Sequence, residues 1–256
     1  MTKNAKIAVI VSILSVIVLI VVLCSTVFSI QNAQLIWYSE RTSTLQTLNN
    51  ETALKATNAQ SKSVFLLDKE KAINNIQKKY PTLRVIKLEV AFPNILKIHA
   101  TERQEVYALP MSNNKYAITD EYFSVINIVN SFSSINTNAI LINTDAFLNL
   151  SPQKSDVIDI FGDKVYKDIY TAFQELSRNL ADFRAIIASA TLTDSTLTLK
   201  THQGTTLKLD KPFANTTAKM RLAIKTFDLL SAEDYPNSTI EVFVNNQNKL
   251  ESRFYK

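Results

Sequence analysis

Ser151 and Lys154 stand in an S-x-x-K spacing, in which a lysine assists a serine nucleophile in penicillin-binding enzymes. The S-D-N and K-T-G elements that complete that chemistry are missing, and Pro152 makes Ser151 fit a turn or helix cap instead. His99 lies between Ile98 and Ala100 in an alternating stretch and is expected to face solvent. His202, beside Gln203 and Gly204, is expected in a hairpin turn. Neither histidine has a candidate partner nearby in sequence, so a Ser/His/Asp triad has no support. The carboxylate pairs Glu102 with Glu105 and Asp156 with Asp159 would suit glycan hydrolysis if held about 5 to 9.5 Å apart. Solvated surface charge is the simpler reading of both.

Scarcity narrows the chemistry further. One cysteine, Cys24, and two distant histidines cannot assemble a zinc cluster. Two glycines, Gly162 and Gly204, cannot build a phosphate-cradling loop. Among 256 residues, 28 Lys+Arg against 23 Asp+Glu give a net charge of +5, and because these charges are scattered the chain does not read as a nucleic-acid binder. The expectation is a protein that is not an enzyme, with no cofactor and no small-molecule substrate.

The elements that must position any remaining function begin with an apolar run. Residues 7–30 carry no charge, and at about 1.5 Å per residue a helix of that length would reach about 36 Å, enough to cross a bilayer. Lys3 and Lys6 precede it and Trp37 and Tyr38 follow, so the positive-inside rule predicts a cytoplasmic tail over 1–6, a transmembrane helix over 7–30 and an extracytoplasmic C-terminus. No A-x-A-like cleavage site follows the run. Cys24 reads as a lipid-facing or packing residue, and with no later cysteine the exported part has no disulfide.

A polar juxtamembrane stalk is expected over 31–41, merging into a first helix marked by Leu45, Leu48 and Leu54. Asp68 then caps a helix whose apolar face is Ala72, Ile73, Ile76 and Tyr80, and Pro81 stops it. Ile86, Leu88 and Val90 alternate, Pro93 and Asn94 turn the chain, and Leu96, Ile98 and Ala100 alternate again. Short strands follow at 105–109, 115–119, 123–129 and 139–143. A helix over 163–180 has Val165, Ile169, Ala172, Phe173 and Leu176 on one face. Three more strands at 185–191, 196–200 and 205–209 precede a helix capped by Asn215 with Met220, Ile224 and Phe227 inward, then a closing strand at 239–244. The fold class is α+β.

The stretch VFLLDKEKAINNIQKKYPTLRVIKLEVAFPNILKIHATERQEVYAL resembles the POTRA domain of the bacterial cell-division family FtsQ, called DivIB in Gram-positive bacteria. Phe65, Leu67, Asp68, Pro81, Leu83, Ile86, Leu88, Pro93, Leu96, Ile98, Glu102 and Arg103 carry the likeness. KYAITDEYFSVI and AKMRLAIKTFDLL followed by STIEVFV are similar to later parts of the family. Two departures stand out: Tyr122 and Phe123 occupy a turn after Asp120 where the family usually has a glycine, and Asp210 stands where a glycine is common.

The resemblance implies a transmembrane helix, a POTRA domain over 42–104, a mixed β domain with flanking helices over 105–246 and a C-terminal tail over 247–256. It implies a single-pass division scaffold at the septal cell membrane that contacts the bilayer through 7–30, binds FtsB/DivIC-like and FtsL-like proteins and helps control septal peptidoglycan synthesis. The alternatives are a membrane-anchored cell-wall enzyme or another POTRA-type binding module. Partner binding is implied at an edge strand made of Thr239, Ile240, Glu241, Val242, Phe243 and Val244, beside a helix presenting Leu222 and Lys225.

Overall fold

The structure is a computed structural model, and it describes residues 3–41, 43–131, 139–159, 164–193 and 195–256. The chain forms two units, Met1–Arg103 and Gln104–Lys256.

The first unit runs α1 (Lys3–Thr26), β1 (Asn32–Trp37), α2 (Ser43–Gln46), α3 (Asn50–Thr57), α4 (Lys69–Lys79), β2 (Leu83–Ala91) and β3 (Ile95–Glu102). Its sheet has the order β1-β3-β2, with β1 parallel and β2 antiparallel to the central β3. Local chemistry sets the helix starts. The Asp68 carboxylate accepts the Lys71 N–H at 3.0 Å, and Asn49 and Thr52 close a reciprocal capping box on α3. Ile76 of α4 and Leu96, Ile98 and Ala100 of β3 are fully buried together with Leu45, Leu48 and Leu54. Ile73 packs half-buried against them.

Three expectations for this unit are corrected. The expected stalk over 31–41 is largely β1, whose six residues pair with Ile95 to Ala100. Ile86, expected to alternate inward with Leu88 and Val90, is 55% exposed, because a bulge between Val85 and Lys87 shifts the strand's parity and places Val85 inward instead. The expected transmembrane helix over 7–30 is overturned: among the described residues no helix is long and apolar enough to cross a membrane. The end of the apolar run is spent elsewhere. α1 stops at Thr26, Ser29 bridges to Ser63, and Ile30 is fully buried in the core of the unit. The side chains from Val9 to Leu23 are exposed, while those of Lys3, Lys6 and Cys24 lie outside the described residues.

The second unit contains β4 (Tyr107–Pro110), β5 (Tyr116–Thr119), β6 (Val125–Val129), β7 (Ile140–Asn143), α5 (Lys164–Asn179), α6 (Phe183–Ile186), β8 (Ile187–Leu192), β9 (Thr196–Thr201), β10 (Thr206–Asp210), α7 (Thr216–Phe227), β11 (Thr239–Val244) and β12 (Leu250–Tyr255). They make a mixed nine-stranded sheet, β12-β11-β10-β9-β8-β7-β4-β5-β6. Parallel pairing joins β4 to β7, β7 to β8 and β10 to β11. Ile169, Ala172, Phe173 and Leu176 of α5 and Met220, Ala223, Ile224 and Phe227 of α7 supply one buried core against it. Val165 stays exposed at the first turn of α5, and Asp163, the expected first residue of that helix, lies outside the described residues.

Left-handed backbone falls on one of the two glycine departures and just after the other, since Asp210 ends β10 and the residue that follows it takes the positive φ. Phe123 has φ 57° and Lys211 has φ 43°. A bulky residue in this region is strained, and the Asp120 carboxylate holds the first turn by accepting the Tyr122 and Ser124 N–H groups, each at 2.9 Å. Phe123 itself is buried and stacks on Tyr107 with ring centroids 5.1 Å apart. Asn215, expected to cap α7, also sits at φ 58° and makes no side-chain capping bond.

Candidate functional site

The strand singled out for partner binding is present at Thr239–Val244, but it is not the edge of the sheet. β12 lies outside it in antiparallel register, from Thr239 opposite Tyr255 to Val244 opposite Leu250. Residues 250–255 of the expected tail are therefore a strand. The hairpin between the two strands is built by Asn245, whose side-chain oxygen accepts the Gln247 and Lys249 N–H groups at 2.9 Å each, while Asn248 supplies the left-handed residue at φ 59°. The Asn245 N–H in turn donates to the Lys249 carbonyl at 2.8 Å.

Register sorts the side chains by face. Ile240 and Val242 are fully buried under α7, and Ser252, opposite Val242, accepts a bond from the Thr226 hydroxyl of α7 at 3.1 Å. On the other face Glu241 receives Lys208 at 2.8 Å, and the Arg253 guanidinium lies over the Phe243 ring at 5.1 Å. The Glu241 contact pushes the Lys208 ammonium above the usual lysine range. Beyond β12, Lys256 reaches Asp234 at 3.0 Å and the Glu233 carbonyl at 3.1 Å.

Of the two helix residues expected beside this strand, Leu222 is half-buried against the core and Lys225 is exposed on α7. Val244 is 37% exposed at the mouth of the hairpin, and Phe254 and Tyr255 on β12 are 41% and 42% exposed. The residues that sequence reasoning missed are thus Leu250 to Tyr255. The turn signal in Asn245 to Asn248 was the available clue, because an Asn-rich tetrad after a strand favours a hairpin.

The serine and the two histidines considered for catalysis lie on separate segments of the chain. Ser151 and Lys154 are exposed on an irregular segment, and Asp156 uses its carboxylate to accept the Gln153 N–H at 2.7 Å. His202 is exposed in the turn between β9 and β10, where Gly204 has φ 94°. His99 does not face solvent as expected. Its side chain is only 14% exposed, because Tyr38 stacks on it and bonds Nδ1 at 2.9 Å while Glu89 meets Nε2 at 3.1 Å. Among the described residues no group of three His, Cys, Asp or Glu side chains is placed to hold a metal. An open cleft of about 890 Å³ lies at the ends of β4, β7 and β8, lined by Pro110, Asn143, Asp145, Lys164, Asp168 and Thr193.

No protein-family model matches the chain, and no curated protein matches it.

Proposed function

We propose that this chain is a non-enzymatic scaffold of bacterial cell division, acting at the septal cell membrane on its extracytoplasmic side. It binds FtsB/DivIC-like and FtsL-like proteins and helps control septal peptidoglycan synthesis. The resemblance over residues 64–109 motivates the reading. The bare apolar side chains of α1 support contact with lipid.

One observation carries the partner-binding part: β12 ends the sheet, and no described strand pairs with its outer side. An open strand edge displays N–H and C=O groups that an extended partner segment can bond. The Asn245 bond to Lys249 fixes the alternation, so the N–H groups of Leu250, Ser252 and Phe254 point outward. Phe254 and Tyr255 then offer exposed rings for side-chain selection. The docking strand is thereby moved one place outward from Thr239–Val244, which becomes its support.

Ser252→Pro tests this. Proline removes an outward donor without breaking a bond to β11, so the sheet should survive while capture of an FtsB/DivIC-like partner by the purified chain falls at least tenfold. Ser252→Ala, which loses only the hydroxyl contact to Thr226, should retain capture. Equal capture by both variants would place the docking surface elsewhere. A fluorescent fusion spread evenly over the membrane of dividing cells would count against the division reading itself.

A further inference from the structure

Phe28, Phe65 and Phe92 come from three separate segments of the first unit and meet in one cluster, with ring centroids 5.2, 5.8 and 6.4 Å apart. The segments are tied by backbone bonds: the Val64 N–H donates to the Phe28 carbonyl at 2.8 Å, Ile30 to Lys62 at 2.9 Å and Gln31 to Asn94 at 3.1 Å. The cluster is fixed in place, yet uncovered. Phe65 is 59% exposed, Phe92 66% and the neighbouring Leu66 84%. Three large apolar side chains left bare on a braced platform form the kind of patch that marks an interaction surface.

The surroundings indicate the occupant. The stretches 27–31, 61–67 and 91–95 contain no Asp or Glu, and their one charged residue, Lys62, is exposed. The patch is also continuous with α1: the Leu23 carbonyl accepts the Val27 and Phe28 N–H groups at 3.0 and 3.1 Å, and Val27 is 44% exposed between helix and rings. An apolar helix surface running onto aromatic rings, with a lysine and no carboxylate inside these stretches, the exposed Asp68 that caps α4 standing just beyond them, matches the boundary between lipid headgroups and acyl chains.

We infer that this tip of the first unit, Phe28, Phe65, Leu66 and Phe92, seats shallowly in an anionic lipid surface, with Lys62 toward the headgroups. The inference rests on the proposed membrane location and adds to it a second, aromatic contact that fixes how the first unit faces the lipid.

A polarity-sensitive fluorophore on Leu66→Cys, in the full chain carrying Cys24→Ser, reads the contact. The same probe on Lys79→Cys, at the far end of α4, is the reference. With vesicles of phosphatidylglycerol and phosphatidylethanolamine, the probe at 66 should shift to the blue and be quenched more by lipids spin-labelled near the headgroup than by lipids labelled at the chain end. Adding Phe65→Ser and Phe92→Ser should return it to the emission seen at 79. If the chain floats with vesicles but position 66 emits like 79, this inference fails while the membrane location stands. A blue shift that grows with protein concentration and ignores lipid quenchers would assign the patch to a second copy and overturn the lipid contact. Failure to float with vesicles would remove both.

Discussion

Lys219 donates its ammonium to the main-chain carbonyl of Asp210 at 2.6 Å, and the same group reaches the Lys211 carbonyl at 2.8 Å. The side chain is 1% exposed. A lysine from α7 therefore satisfies the carbonyls at the left-handed turn after β10, where the chain has no glycine to relax the backbone. Lys219→Met keeps the packing and orphans both acceptors, so urea denaturation should show a loss of about 1 to 3 kcal/mol.

The same lysine predicts a pH dependence. Burial holds the Lys219 ammonium below its ordinary 10.5, so between that lowered value and 10.5 the unfolded chain binds more protons than the folded one. Stability contributed at this position should rise as pH climbs through that window. The gap in urea midpoint between wild type and Lys219→Met should widen toward pH 10.5, and an unchanged gap would contradict the burial of the charge.

Asp120 restrains the left-handed Phe123 through two backbone bonds. Asp120→Ala frees both donors and should cost about 2 to 4 kcal/mol, whereas Asp120→Asn keeps a carbonyl acceptor and should cost less. Thermal melts of the two variants should rank in that order.

In the first unit, neighbouring positions on β3 should respond to the same charge by different mechanisms. Ile98→Asp buries a carboxylate among Ile76, Leu54 and Leu96 and should cost several kcal/mol, enough to unfold the unit. His99→Asp breaks the Tyr38 contact and sets a carboxylate against Glu89, so it should cost about 1 kcal/mol rather than nothing. His99→Gln should recover part of that loss. Amide exchange of β3 in each variant separates the two outcomes.

The position of β11 makes a further contrast. Ile240→Ala opens a cavity under α7 and should cost about 2 to 5 kcal/mol. Phe243 lies on the open face beneath Arg253, so Phe243→Ala should cost about 1 kcal/mol. Comparable losses would mean that the two faces of β11 are assigned wrongly.

The elements recognised from sequence are those whose signals are local. α4 carries its cap at Asp68, a helical apolar period and a stop at Pro81, and β9 and β10 alternate on either side of a glycine turn. β1 has no such signature. NAQLIW sits in a polar stretch and becomes a strand only because β3, about sixty residues on, offers a parallel partner. β12 fails differently: LESRFY is open to solvent on most of its length, so selection for a buried face leaves no alternation to read. The parity change at Ile86 needs the bulge, and the cover over His99 comes from Tyr38, 61 residues away. For the candidate site, the supporting strand and helix were visible in the pattern, but the outermost strand was not.

The parallel pairing of β1 with β3 also decides how the first unit would bear a pull. The chain enters β1 at Asn32 and leaves β3 at Glu102, and because the two strands run the same way these points lie at opposite ends of the sheet. Tension applied between them is directed along the strands, so the register from Asn32–Ile95 to Trp37–Ala100 is loaded in shear rather than peeled open rung by rung. A tether on α1 opposed by a load on the chain after Glu102 would therefore meet its stiffest resistance across this one seam.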